Sequence, residues 1–166
     1  MNSDFLYRSM QIADLADVHR LECELFLTPW SLKSYRFEID SHQASDPWVA
    51  CIQENVSVRI VGYIVPWVLV DEVHIANIAV DPDFRKRGIA RQLLRGTLWR
   101  AIKLGVSSAI LEVRASNWPA RGLYRSFDFE IVGKSKGYYQ DNGEDAIIMR
   151  LDGLKNTFPV SQLEAA

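Results

Sequence analysis

The sequence predicts a mixed α/β sheet with a few crossover helices, and three observations carry that prediction. Strand-like and helix-like patterns follow one another in the order β-αα-βββ-α-β-α-ββ. The chain has 166 residues, 48% of them hydrophobic, enough for one domain with a real core. Finally, Asn77 to Leu94 reads as strand, turn, basic glycine-containing loop and helix.

The elements justify themselves in order. Tyr7 to Met10 is a short first strand. Asp14 to Phe26 carries Leu15, Val18, Leu21, Cys23 and Leu25-Phe26, a helical stripe that Pro29 closes. Ser31 is placed to cap a second helix with Leu32, Tyr35, Phe37 and Ile39, and Glu38-Ile39-Asp40 reads as its solvated face. Trp48 to Gln53 and Val58 to Val65 are strands joined by a turn near Glu54-Asn55. Pro66 cannot donate to a ladder, so the second strand is expected to end or bulge there. Val73 to Val80 is the next strand. A helix from Ile89 to Leu104 follows the loop, and Gly105 stops it. Ser108 to Val113 is a compact buried strand. Asn117 to Ser126 is a short helix that tolerates Pro119 in its first turn. Ile131 to Lys136 and Ala146 to Leu151 are strands separated by an Asn142-Gly143 turn signal. Gly153 to Ala166 lacks periodicity and is expected to be a flexible tail beyond a domain spanning residues 1–152.

Composition removes several function classes. The net charge of −2 argues against a general nucleic-acid binder, so the basic loop is a local feature. Cys23 and Cys51 have no metal-like spacing and read as structural thiols of a reduced, cytosolic chain. No apolar run is long enough to span a membrane, and Met1 to Phe5 lacks the pattern of a signal peptide. The loop itself, Arg85-Lys86-Arg87-Gly88-Ile89-Ala90, would offer backbone N–H groups at a helix start, a positive end suited to a phosphate. Gly88 allows close backbone approach. An ordinary strand-to-helix turn with solvated basic residues fits the loop equally well. A nucleotide triphosphatase does not, because no Gly-x-x-x-x-Gly-Lys-Ser/Thr pattern is present.

The order of elements together with Arg85-x-x-Gly88-x-Ala90 resembles the GCN5-related N-acetyltransferases (GNAT). Leu111-Glu112-Val113-Arg114-Ala115-Ser116-Asn117, Leu123-Tyr124, Gly137-Tyr138-Tyr139 and Gly143-Glu144-Asp145-Ala146, with Pro29-Trp30-Ser31 and Asp71-Glu72, resemble its RimI-like branch. That branch comprises the bacterial ribosomal-protein N-alanine acetyltransferases, and the resemblance covers residues 7–152. It implies a GNAT fold, a mostly antiparallel mixed sheet with a splayed parallel strand pair and flanking helices. It also implies acetyl-CoA as co-substrate and no metal. The pyrophosphate would lie on Arg85–Ala90 and the pantetheine arm along the main chain of Ile78, Ala79 and Val80, with Asn117 reaching the same arm. The implied partner is a protein N-terminus, in the cytoplasm, for a monomer that contacts neither nucleic acid nor membrane.

The same resemblance maps the general base onto Glu112 and the general acid onto Tyr124, which would protonate the leaving thiolate. Burial beside Leu111 and Val113 is expected to raise the Glu112 pKa. A backbone N–H near Ile78 to Val80 would face the developing oxyanion. On the residues alone, Glu112 reads as a strand-end carboxylate paired with Arg114, Tyr124 as a packing residue and His74 as a core histidine. The resemblance makes His74 a further base candidate. Trp30, Tyr138, Tyr139 and Glu144 are expected to line the acceptor cleft, and Asp71, Glu72 and Glu144 to suit basic acceptor residues. A peptide α-amine with a pKa of about 8 costs roughly 3 kcal/mol less to deprotonate than a lysine at about 10.4, so a lone carboxylate base suits an N-terminus better. A lysine or small-amine acetyltransferase and a silent acetyl-CoA binder are the alternatives. After the Tyr124 helix the family has Leu-Gly-Phe; here Phe127-Asp128-Phe129 stands instead, and Asp tolerates a positive φ better than most residues.

Overall fold

The structure, a computed structural model, describes residues 5–157. Its strands are β1 (Phe5–Ser9), β2 (Trp48–Glu54), β3 (Ser57–Val68), β4 (Glu72–Val80), β5 (Ser108–Arg114), β6 (Glu130–Tyr139) and β7 (Glu144–Asp152). The helices are α1 (Leu15–Leu25), α2 (Leu32–Asp40), α3 (Ile89–Lys103), α4 (Trp118–Arg125) and the single turn α5 (Leu154–Thr157). The sheet order is β1-β2-β3-β4-β5-β7-β6. β4 and β5 run parallel, linked through α3, while β1–β2, β2–β3, β5–β7 and β6–β7 are antiparallel. The predicted order of elements is therefore the observed one, and the fold is the expected mostly antiparallel sheet with one parallel pair.

The chain resolves into two compact units. The first holds residues up to Trp67 and Asn77–Arg95; the second holds Val68–Ala76 and the chain from Gly96 onward. In the first unit, Leu15, Val18 and Leu21 of α1 pack with Tyr35 of α2 and with Val49, Cys51, Ile60 and Tyr63 of the strands. Ser31 caps α2 as expected, its hydroxyl accepting the Ser34 N–H at 3.0 Å. Gly62 sits in a close approach: a Cβ there would lie 3.1 Å from the Ala79 carbonyl oxygen, so the neighbouring backbone would have to give by a few tenths of an ångström. In the second unit, Gly105 ends α3 with φ of 89°, and Asn117 caps α4 by accepting the Ala120 N–H at 3.2 Å. Asp128 does hold a positive φ, 64°, at the turn leading out of α4.

Four expectations need correction. β3 does not stop at Pro66 but runs to Val68, because Pro66 is needed only as an acceptor, for the Asp46 N–H at 3.0 Å. Cys23 is exposed, while Cys51 is buried. Glu38 is not on a solvated face: it is buried and accepts the Trp67 indole N–H at 2.9 Å. β6 extends to Tyr139, so both tyrosines end a strand rather than sit in a loop. Leu154, at the start of the expected tail, is buried and donates its N–H to the Ser107 carbonyl at 3.0 Å; residues 158–166 of that tail lie outside the described residues.

Candidate active site

In the second unit the chemistry gathers on one face of β5. Ala109, Leu111 and Val113 are buried, so the alternate residues Ile110, Glu112 and Arg114 share the opposite face. The parallel register with β4 runs from Glu72–Ser108 to Ile75–Leu111, and places His74 opposite Ile110. His74 is thus a diagonal neighbour of Glu112, and its Nε2 lies 2.6 Å from Glu112 Oε2. Both side chains keep a quarter or less of their surface exposed.

The hydrogen bond from His74 holds the Glu112 carboxyl below its ordinary range and outweighs the opposing effect of burial. This reverses the expectation that burial raises it. An ionised carboxylate only accepts, so the hydrogen between the two atoms belongs to His74 Nε2. Nor does Glu112 pair with Arg114. The Arg114 guanidinium instead binds Asp141, Asn142 and Glu144 in the β6–β7 turn.

Tyr124 lies on the buried face of α4, 5.8 Å from the Phe129 ring between centroids. Burial raises its phenol above the ordinary tyrosine range, so it stays a donor at neutral pH. Among the described residues its hydroxyl has no hydrogen-bond partner. Asn117 commits its carbonyl oxygen to the α4 cap, and among the described residues its amide N–H groups have no acceptor. Tyr138 is half exposed and meets Tyr139 edge-to-face, 5.1 Å apart. Tyr139 is pushed up to about 12, chiefly by burial. Two of the three carboxylates expected to face a basic acceptor are engaged internally, while Asp71 is exposed and bonds through its backbone carbonyl. Glu144 accepts from the Ser116 N–H at 2.7 Å and from Arg114 at 3.4 Å, and Glu72 pairs with Arg150.

In the first unit, Arg85–Ala90 leads into α3 with a backbone that alternates in the sign of φ. Arg85, Lys86 and Gly88 take φ of −63°, 61° and 82°. The N–H groups of Lys86, Arg87 and Gly88 have no acceptor among the described residues. Asp81 anchors the loop: buried, it accepts from Asp83 N–H at 3.0 Å and from Arg59 at 2.9 Å. The Phe84 ring carries the Arg59 and Arg87 guanidinium carbons at 5.1 and 5.0 Å from its centre. Ile78, Ala79 and Val80 follow directly on Asn77, the β4 residue fixed by Glu22.

That Glu22 contact was not anticipated. Glu22 is 1% exposed on α1 and accepts from the Trp30 N–H at 2.9 Å, Tyr35 hydroxyl at 2.8 Å, Asn77 amide at 3.0 Å and the Tyr63 hydroxyl. Its position, four residues after Val18 and one after Leu21, was the available signal for burial. The Trp30 ring packs at 5.5 Å from Tyr35 and stacks at 6.5 Å on Trp67. No group of three or more metal-type ligands occurs among the described residues, and no helix among them is long and apolar enough to cross a membrane.

The second unit thus holds a carboxylate bonded to an imidazole and a buried phenol, and the first unit holds a basic loop with open N–H groups among the described residues. The chain belongs to the acetyltransferase (GNAT) family, whose profile matches residues 15–129. It is 34% identical over 145 residues to the ribosomal protein bS18-alanine N-acetyltransferase of Escherichia coli, across 86% of this chain and 94% of that protein. It is 31% identical over 160 residues to an N-alpha-acetyltransferase of Saccharolobus solfataricus, across 88% and 92%. The crystal structure of the ribosomal-protein-S18-alanine N-acetyltransferase from Escherichia coli matches with a TM-score of 0.78 and 32% identity, across 89% of this chain and 93% of that one.

Proposed function

We propose that this protein transfers the acetyl group of acetyl-CoA to the N-terminal α-amine of a protein, in the cytoplasm and as a monomer. The acceptor is a ribosomal protein with N-terminal alanine, and neither nucleic acid nor membrane takes part. The relatives' names support the acceptor class. The observation that carries the chemistry is the Glu112–His74 contact of 2.6 Å.

The residues divide the work. The N–H groups of the Arg85–Ala90 loop hold the pyrophosphate, and main-chain groups of Ile78, Ala79 and Val80 hold the pantetheine arm as an added strand would. The open amide N–H of Asn117 donates to an amide carbonyl of that arm. Trp30, Tyr138 and Tyr139 hold the acceptor, and Glu144 contributes by fixing the turn beside them. The α-amine attacks the thioester carbonyl carbon directly. The Glu112–His74 pair receives the amine proton, itself or through one water. The C–S bond then breaks, and Tyr124 gives its phenolic proton to the leaving sulfur.

The test is mass-spectrometric. Purified protein and acetyl-CoA are offered an alanine-starting hexapeptide, the same peptide with a blocked N-terminus, and a blocked peptide with an internal lysine. Mass gain on the free N-terminus alone, lost in Glu112→Gln, is the expected result. Gain on the lysine peptide, or on none, overturns the reading.

A further inference from the structure

The β6–β7 turn is held by one side chain of β5. Arg114 Nη1 donates to Asp141 Oδ1 at 3.1 Å, Asn142 Oδ1 at 3.2 Å and Glu144 Oε2 at 3.4 Å, and its Nη2 donates to Asp141 Oδ2. The guanidinium carbon sits 3.9 Å over the centre of the Tyr139 ring. The Asp141 and Glu144 side chains are 8% and 18% exposed against it. Only a planar fork fills this place: two parallel donors meet Asp141 while the flat face lies on the tyrosine. Arg114 also shares the β5 face with Glu112, two residues back.

We infer that Arg114 is a positioning and specificity residue: it fixes the turn that follows Tyr138 and Tyr139 at the end of β6, and it withholds the Asp141 and Glu144 carboxylates from basic residues of an acceptor peptide. This rests on the acceptor reading above. The positioning follows from the stacking, since the Tyr139 ring has the guanidinium as its rest. The selectivity follows from charge. With Arg114 present, its cation offsets part of the charge of Asp141 and Glu144; without it, the turn carries one more net negative charge beside the proposed acceptor residues.

The test uses the full chain, acetyl-CoA and two alanine-starting hexapeptides, one with lysine and arginine at its second and third positions and one with serine there. In Arg114→Met, the kcat/KM ratio of the basic to the neutral peptide should rise about fivefold, because the turn loses its cation and becomes more negative. In Arg114→Lys, which keeps the charge but not the fork, that ratio should stay within about twofold of wild type while acceptor KM rises about fivefold for both peptides. The acetyl-CoA KM should be unchanged in each, a split that general loss of folded protein does not produce. A ratio unmoved in Arg114→Met, or an acceptor KM unmoved in Arg114→Lys, overturns the proposal. Should Arg114→Met not fold, the Lys variant decides alone. A wild-type protein inactive on every free N-terminus overturns the acceptor reading and this proposal with it; an active wild type with unmoved variants overturns only the proposal.

Discussion

Glu112 is the residue proposed to take the amine proton, and its neighbour His74 sets how it titrates. Because folding lowers its pKa, the carboxyl stabilises the fold fully above its unfolded value of about 4.3, and that contribution is lost as the pH falls through the lower folded value. Thermal unfolding of wild type and Glu112→Gln should therefore differ at neutral pH and converge in acid. The same depression removes Glu112 from the acid limb of activity. The kcat/KM profile should rise with the acceptor amine near pH 8, not near 4; an acid limb at about 4 would show a carboxyl titrating alone. Replacing Glu112 by Gln should lower kcat about 100-fold with acetyl-CoA binding, measured by calorimetry, unchanged. Glu112 and Tyr124 were singled out as candidates in the sequence because short motifs surround them. The Glu112–His74 pair was not, since the residues stand 38 positions apart and only the β4–β5 register makes them neighbours.

Among the elements, the apolar ones were legible and the buried polar ones were not. Alternation and helical spacing report where hydrophobic side chains point, so β5, α1 and the stop at Gly105 came out directly. Glu22 and Glu38 break that pattern while lying inside it, and no period announces a carboxylate whose partners come from other elements. Pro66 misled in the opposite direction: a missing donor matters only where the ladder asks for one. Glu22 gathers α1, α2, β3, β4 and the Trp30 loop of the first unit around one group. Glu22→Ala leaves their donors unsatisfied in a dry core and should cost about 3–5 kcal/mol in urea unfolding. Gly62 is a separate constraint, on how closely β3 can lie against Ala79 and the Ile89 side chain. Gly62→Ala forces β4 back from its neighbour and should destabilise the protein by about 1–3 kcal/mol. A raised acetyl-CoA KM with acceptor KM unchanged should accompany it, because the displaced residues are those proposed to hold the pantetheine arm.

For the molecule as a whole, the net charge of −2 hides a strongly local field. Arg85, Lys86 and Arg87 are consecutive, exposed and set on a loop whose N–H groups at residues 86–88 have no acceptor among the described residues, while acidic residues elsewhere cancel them in the sum. A polyanion such as nucleic acid needs a broad basic face, whereas one pyrophosphate needs only this loop. The two demands separate in salt. Screening at about 0.5 M reduces the Debye length to about 4 Å, short enough to weaken the cationic side chains. It acts far less on hydrogen bonds from backbone N–H groups in contact with a phosphate. Acetyl-CoA KM should therefore rise several-fold between about 0.05 and 0.5 M salt and then level off, with the plateau set by the backbone donors. In the triple variant with Arg85, Lys86 and Arg87 all replaced by Ala, acetyl-CoA KM should start near that plateau and respond little to salt. A continued steep dependence in the variant would place the cofactor's anionic contacts on some other part of the chain.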